Sequence, residues 1–232
     1  MLERMFNYEN PVWQFMNRVA DLLILNLMFM IFSLPIITIG ASYTALTYVM
    51  VKIVRKEDTY VWKEFWNSFK SNFKQATYMW LILIPFVAFL SLDVFLWFSD
   101  PTTLPKVLKV TTVIVIIIVL SIGIYAFPIL SHFDNTVRNT LKNAFLISLI
   151  NIPFTIFFII ALVLPIVLVA IEPRMMMAFV LIGFSGPSLL TAVGWSKIFK
   201  KLEPPKEDDE DEEEDEDEDI EDDIDEKSSE NV

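Results

Sequence analysis

FWNSFKSNFKQATYMWLILIPF, residues 65–86, and FDNTVRNTLKNAFLISLINIPF, residues 133–154, are two versions of one pattern. Aligned without gaps at an offset of 68, they agree at nine of 22 positions, among them Phe65/Phe133, Asn67/Asn135, Lys74/Lys142 and Pro85/Pro153. Lys70 pairs with Arg138 and keeps the charge. Apolar bias supplies several of the matches, but not the Asn, Lys and Pro together. Each copy opens with polar and basic residues and then runs into an apolar stretch, as a helix does when it leaves a membrane surface for the bilayer. Both copies enter in the same sense, so the repeat is parallel.

In the first copy, at 100° per residue, Trp62, Phe65, Trp66, Phe69 and Phe73 fall within about 100° of arc. Lys63, Lys70, Lys74 and Asn67 lie together to one side. This predicts a helix in the headgroup layer, its rings toward acyl chains and its ammonium groups toward phosphates. The bland function of such a helix is anchorage. The sharper one is a docking face built from the five rings with Lys70 and Lys74, its repeat counterparts being Phe133, Asn135, Arg138, Lys142 and Pro153.

Composition sets the class. Of 232 residues 54% are hydrophobic, with a mean hydropathy of +0.51, and the apolar residues come in blocks rather than scattered faces. Blocks near Val19–Ile39, Ala76–Phe98, Val107–Leu130, Ala144–Ile171 and Met175–Trp195 are long enough to cross a bilayer core of about 30 Å. A sixth, shorter helix from Ser42 to Lys56 either re-crosses the membrane or lies in its interface. The side of the N-terminus depends on which. Gly183, Gly186 and Pro187 break or kink the last span, which lipid tolerates only where neighbouring helices satisfy the freed backbone.

The net charge of −12 hides two opposite regions. From Glu203 to Val232 there are 20 acidic residues against 2 lysines, so residues 1–202 keep 16 Lys or Arg against 10 acids, a net of +6. The bases cluster at Lys52–Lys74, at Arg138 and Lys142, and at Lys197–Lys201, which places those ends in the cytoplasm by the positive-inside bias. This topology accounts for them without a nucleic-acid partner. The carboxylate run Glu207–Asp219 reads as a disordered, solvated cytoplasmic tail. The fold expected is an all-α polytopic transmembrane helical bundle over 1–202, with repeat units around 65–98 and 133–171, followed by an acidic tail over 203–232.

Ionisable and amide groups near the apolar blocks are the candidate polar positions. Arg18 and Asp21 are spaced to pair on one helix face. Asn26 and Asn151 are placed to hydrogen-bond between helices or to line a polar cavity. No cysteine is present and His132 is the only histidine, so His/Cys metal sites are excluded by number. No nucleophile–base pair, P-loop, GxGxxG or HExxH occurs, and neither a cofactor nor an enzymatic activity is expected.

The segment MFNYENPVWQFMNRVADLLILNLMFMIFSLPIITIGASYTALTYV, with NFKQAT at 72–77, resembles the YesL-like family of bacterial membrane proteins. The likeness rests on residues such as Asn10, Pro11, Arg18, Asp21, Asn26, Pro35 and Gly40. It is specific over about residues 1–80, and the long acidic tail departs from it. The resemblance implies a polytopic protein of the bacterial cytoplasmic membrane, often encoded beside carbohydrate ABC transporters, with no catalytic residues to inherit. On that basis the expected role is a non-enzymatic accessory protein of carbohydrate uptake, contacting lipid and ABC-transporter components. A permease subunit for a small carbohydrate is the alternative.

Overall fold

The computed structural model describes residues 11–57, 59–99 and 105–203; the acidic tail lies outside them. The chain divides into a unit of Met1–Ser196 and one of Lys197–Val232. The described residues form eight α-helices and no strand: α1 Pro11–Phe32, α2 Ile39–Val54, α3 Val61–Ser99, α4 Lys106–His132, α5 Val137–Ile150, α6 Ile152–Ile171, α7 Met176–Ile182 and α8 Ser185–Leu202. Five stretches are long and apolar enough to cross a membrane: Gln14–Phe32, Ile36–Val54, Val61–Ser99, Val107–His132 and Ile152–Ile171. Large apolar side chains along them face outward, Phe89 being 70% exposed. Water would not tolerate such a surface and lipid would. This is a multi-pass membrane protein.

The five spans are not the five expected. The helix left open between re-crossing the membrane and lying in its interface is long and apolar enough to cross, because it begins before Gly40 rather than after it. It is also the centre of the bundle: 61% of its apolar stretch is buried, against 22% for Gln14–Phe32 and 17% for Ile152–Ile171. Gly40 is not a break. It lies inside α2 at a close crossing, where an added Cβ would stand 2.9 Å from the Ala76 carbonyl and 2.8 Å from the Phe127 ring. The break falls earlier, at Ser33–Pro35, where the Thr38 hydroxyl lies within donating distance of both the Phe32 and Pro35 carbonyls, at 2.6 and 2.7 Å, and shares its one proton between them. Trp80 Nε1 donates to the Ile36 carbonyl at 2.7 Å and pins this turn against α3.

The last block is not one straight span. α7 and α8 meet at 55° around Gly183, where a side chain would stand 2.4 Å from the Phe179 carbonyl. The two repeat copies also diverge. α3 runs for 39 residues through Pro85 without a break, whereas the second copy stops at Asn151 and restarts at Ile152. The prolines correspond, so the residue two before each decides the outcome. Leu83 continues its helix. Asn151 ends one, its Nδ2 donating to the Ile147 carbonyl at 3.0 Å, and Pro153 then sits in the first turn of α6, where its missing N–H leaves no gap.

Two glycines in this region give opposite expectations. Gly40→Ala should lower the thermal unfolding temperature of the detergent-solubilised protein, because overpacking against backbone costs about 1–3 kcal/mol. Gly186→Ala, with nothing within 4 Å of its Cβ position, should leave that temperature unchanged or raise it.

Candidate functional site: a polar cleft beside the head of α3

The first turns of α3 carry the aromatic and lysine stretch straight into the span. Their rings do not share one lipid-facing side. Phe65 is fully buried and Phe69 is 8% exposed. Both pack on Phe32 at the end of α1, with ring centroids 5.7 and 5.2 Å away, and Trp66 joins them at 5.3 Å. The expectation that all five rings point at acyl chains is therefore corrected. The apolar arc is real, but α1 covers its middle. Trp62 (62% exposed) and Phe73 (36%) remain outside. With them lie exposed Lys63, Lys70 and Lys74, and Lys70 Nζ sits 4.6 Å from the centre of the Trp66 ring, a favourable cation–π geometry.

On another side of the same turns opens a cleft of about 440 Å³. Glu64, Asn67, Asn72 and Gln75 of α3 form one wall. Ser131, His132, Phe133 and Asp134, from the end of α4 and the link to α5, form the other, and Tyr48 of α2 closes the back. The His132 and Tyr48 rings meet at 5.4 Å. Lys52 reaches from α2 to Glu64 at 3.1 Å. It can do so because α2 ends just beyond, with Lys56 at a φ of 59°, the Glu57 N–H on the Lys52 carbonyl and the Lys56 N–H on the Ile53 carbonyl. This is the Schellman arrangement.

The polar groups of the cleft differ in what they already hold. Asn72 Nδ2 donates to the Ser68 carbonyl at 3.1 Å. Asn67, Gln75 and Asp134 make no side-chain hydrogen bond or ion pair among the described residues. Ser131 and His132 touch, Oγ to Nδ1 at 2.8 Å, but Ser131 also donates to the Pro128 carbonyl at 2.7 Å. A hydroxyl has one proton. With that proton on Pro128, the imidazole is the donor to Ser131, the reverse of an activated nucleophile.

The other predicted polar positions lie elsewhere. Asn26 is fully buried and holds the break in the last span. Its Oδ1 accepts the N–H groups of Phe184 and Ser185, both at 3.0 Å, and its Nδ2 donates to the Val180 carbonyl at 2.7 Å. Two N–H groups converging on one atom fix which end of the amide is oxygen. Asn151 lies at the α5–α6 break, where Thr155 donates to the Ser148 carbonyl at 2.8 Å and lies 2.9 Å from the Tyr125 hydroxyl. Arg18 is exposed and Asp21 half-buried. No ion pair joins them among the described residues, although their spacing suits one. Asp93 accepts a hydrogen bond from Thr112. Phe133 and Asn135 are half-buried, while Arg138 and Lys142 are exposed on α5. The cleft itself escaped the sequence, because Tyr48, Glu64 and the pair His132 and Asp134 belong to three separate segments. The repeat was a partial signal, since its offset of 68 pairs Glu64 with His132 across the cleft.

Residues 22–94 match the family described as "Protein of unknown function, DUF624". The matched segment holds the second half of α1, all of α2 and the body of α3, hence Asn26, Gly40, Phe65 and the α3 wall of the cleft. It does not reach His132 or Asp134. No curated protein and no solved structure matches the chain.

Asn26→Leu should strip two buried N–H groups and one carbonyl of their partners, at about 1–3 kcal/mol for each group left unsatisfied. The expected outcome is a lower unfolding temperature, together with faster amide exchange at Phe184 and Ser185. Unchanged exchange there would mean that Asn26 does not hold the break.

Proposed function

We propose that the protein is a non-enzymatic accessory protein of the bacterial cytoplasmic membrane, associated with carbohydrate uptake, that presents the head of α3 to an ABC-transporter component. The observation carrying this reading is the division of labour on that head. Phe65 and Phe69 clamp it to Phe32, and Trp62, Lys63, Lys70, Phe73 and Lys74 stay uncovered on the outside. A helix held rigidly on one side and open on the other is pre-organised for docking, which lowers the ordering entropy of binding. The carbohydrate association is supported by the resemblance to YesL-like proteins, with which the DUF624 match is consistent. The Ser131–Pro128 hydrogen bond supports the absence of nucleophilic chemistry at the cleft. The permease alternative has less to draw on: Asn26, Asn151 and Thr155 bond to protein backbone, and beside the break of the last span one cavity of about 40 Å³ is too small for a sugar while another of about 440 Å³ is lined by apolar residues such as Leu168, Phe179, Ile182 and Leu190.

The test separates docking from folding. In affinity purification from native membranes, ABC-transporter components should enrich with the native protein. They should fall at least about tenfold, roughly 1.4 kcal/mol, when Trp62→Ala, Lys70→Glu and Phe73→Ala are combined. The unfolding temperature should not move. Equal enrichment with both proteins, or none with either, would remove the docking role. Phe65→Ala belongs in a different experiment: it empties a buried site and should destabilise the bundle by about 3–5 kcal/mol.

A further inference from the structure

We infer that the cleft beside the head of α3 is a binding site for a small, uncharged polyol, of the size of a mono- or disaccharide. The proposal deepens the carbohydrate association above, and rests on it only in preferring a sugar to another polyol. The polyol class itself comes from the cleft. Its volume of about 440 Å³ lies within the range of small-ligand sites. Asn67 and Gln75 offer amides that both donate and accept, and both are unengaged among the described residues. A hydroxyl, which also donates and accepts, uses both halves of such an amide, whereas an ammonium uses only the oxygen. Asp134 adds a carboxylate able to accept from two neighbouring hydroxyls. Tyr48 and Phe133 supply ring surface for the C–H face of a sugar.

Charge narrows the choice further. Among the described residues no Lys or Arg lines the cleft. The Lys52 ammonium, bound to the wall residue Glu64 at 3.1 Å, lies over the Tyr48 ring at 5.1 Å. A phosphate would therefore meet the Asp134 and Glu64 carboxylates with no Lys or Arg and only the His132 ring beside them. A cationic ligand would find Glu64 already paired with Lys52 and a single open carboxylate, Asp134.

The experiment uses the full chain in lipid nanodiscs, because glycoside detergents would themselves present sugar. Saturation-transfer NMR is recorded with glucose, maltose, glucose 6-phosphate and spermidine, each titrated separately. The result expected is saturable transfer to glucose or maltose and none to the phosphate or the polyamine. Asn67→Ala with Gln75→Ala should weaken binding about tenfold or more, as the loss of two hydrogen-bonding groups would. Asp134→Asn should weaken it less, since the amide still accepts. These three positions are exposed, and an unchanged unfolding temperature shows that the variants fold. Three results would overturn the proposal: no saturable transfer to either sugar, a preference for glucose 6-phosphate or spermidine, or sugar binding that survives the double substitution. If sugar binding fails while transporter capture succeeds, only the ligand site falls. If capture fails while sugar binds, only the docking role falls.

Discussion

Inside a bilayer every backbone N–H and C=O must find its partner within the protein, because lipid offers none. The last span violates helical continuity at Gly183, and the consequence appears far earlier in the chain, in α1. Asn26 of α1 receives two freed N–H groups and returns one proton to the Val180 carbonyl. The same constraint is met locally at Asn151, where Thr155 and the asparagine amide take up carbonyls exposed by the α5–α6 break. The turn before α2 is closed by Thr38 and Trp80. Each irregularity is thus tied down by a polar side chain. Asn26, Thr38, Trp80, Asn151 and Thr155 are structural fasteners.

That use of intramembrane polarity decides where function can reside. A group bonded to a helix break cannot also coordinate a passing solute without releasing the break. The Ser42, Tyr43, Thr77 and Ser185 hydroxyls are buried without a hydrogen bond among the described residues. Asn67, Gln75 and Asp134, which keep their hydrogen-bonding capacity and reach solvent, lie instead at one end of the bundle, between α3, α4 and the central α2. There Phe32 holds the α3 head from one side and the Lys52–Glu64 pair ties it to α2 from another. The pair is partly exposed, so its worth in stability is small. Its value is positional: it fixes the rotation of α3 that turns Asn67 and Gln75 toward the cleft while leaving Trp62 and Lys63 outside.

Much of this was legible in the sequence, and the failures have physical causes. Gly183, Gly186 and Pro187 announced the break in the last span, because glycine and proline change what the backbone can do. Asn26 announced a buried hydrogen bond, but not its partner 154 residues away. The aromatic arc on α3 was correct as a periodicity. Periodicity names a face without saying what covers it, and the cover, Phe32, lies beyond an intervening helix. Gly40 has the same ambiguity: glycine serves both a turn and a close helix crossing, and only the Ala76 carbonyl distinguishes them. The prolines at 85 and 153 match in the repeat, yet one copy is a continuous helix past Leu83 and the other breaks at Asn151. The cleft draws single residues from distant segments, which no local pattern collects.

The central claim is that the α3 head is a wall of the bundle, buried on the Phe32 side and open to water at the cleft, on the side that the positive-inside bias predicts to be cytoplasmic. The chain has no cysteine, so single-cysteine variants can be labelled without background. The most direct measurement is labelling by a membrane-impermeant maleimide of cysteines at 65, 67, 69, 75 and 76, in intact cells and in inverted membrane vesicles. The account predicts rapid labelling at 67 and 75 in inverted vesicles only, with 65, 69 and 76 protected in both preparations. Labelling of 65 and 69 as fast as 67 and 75 would contradict the buried wall. Labelling of 67 and 75 from outside intact cells would contradict the cytoplasmic cleft.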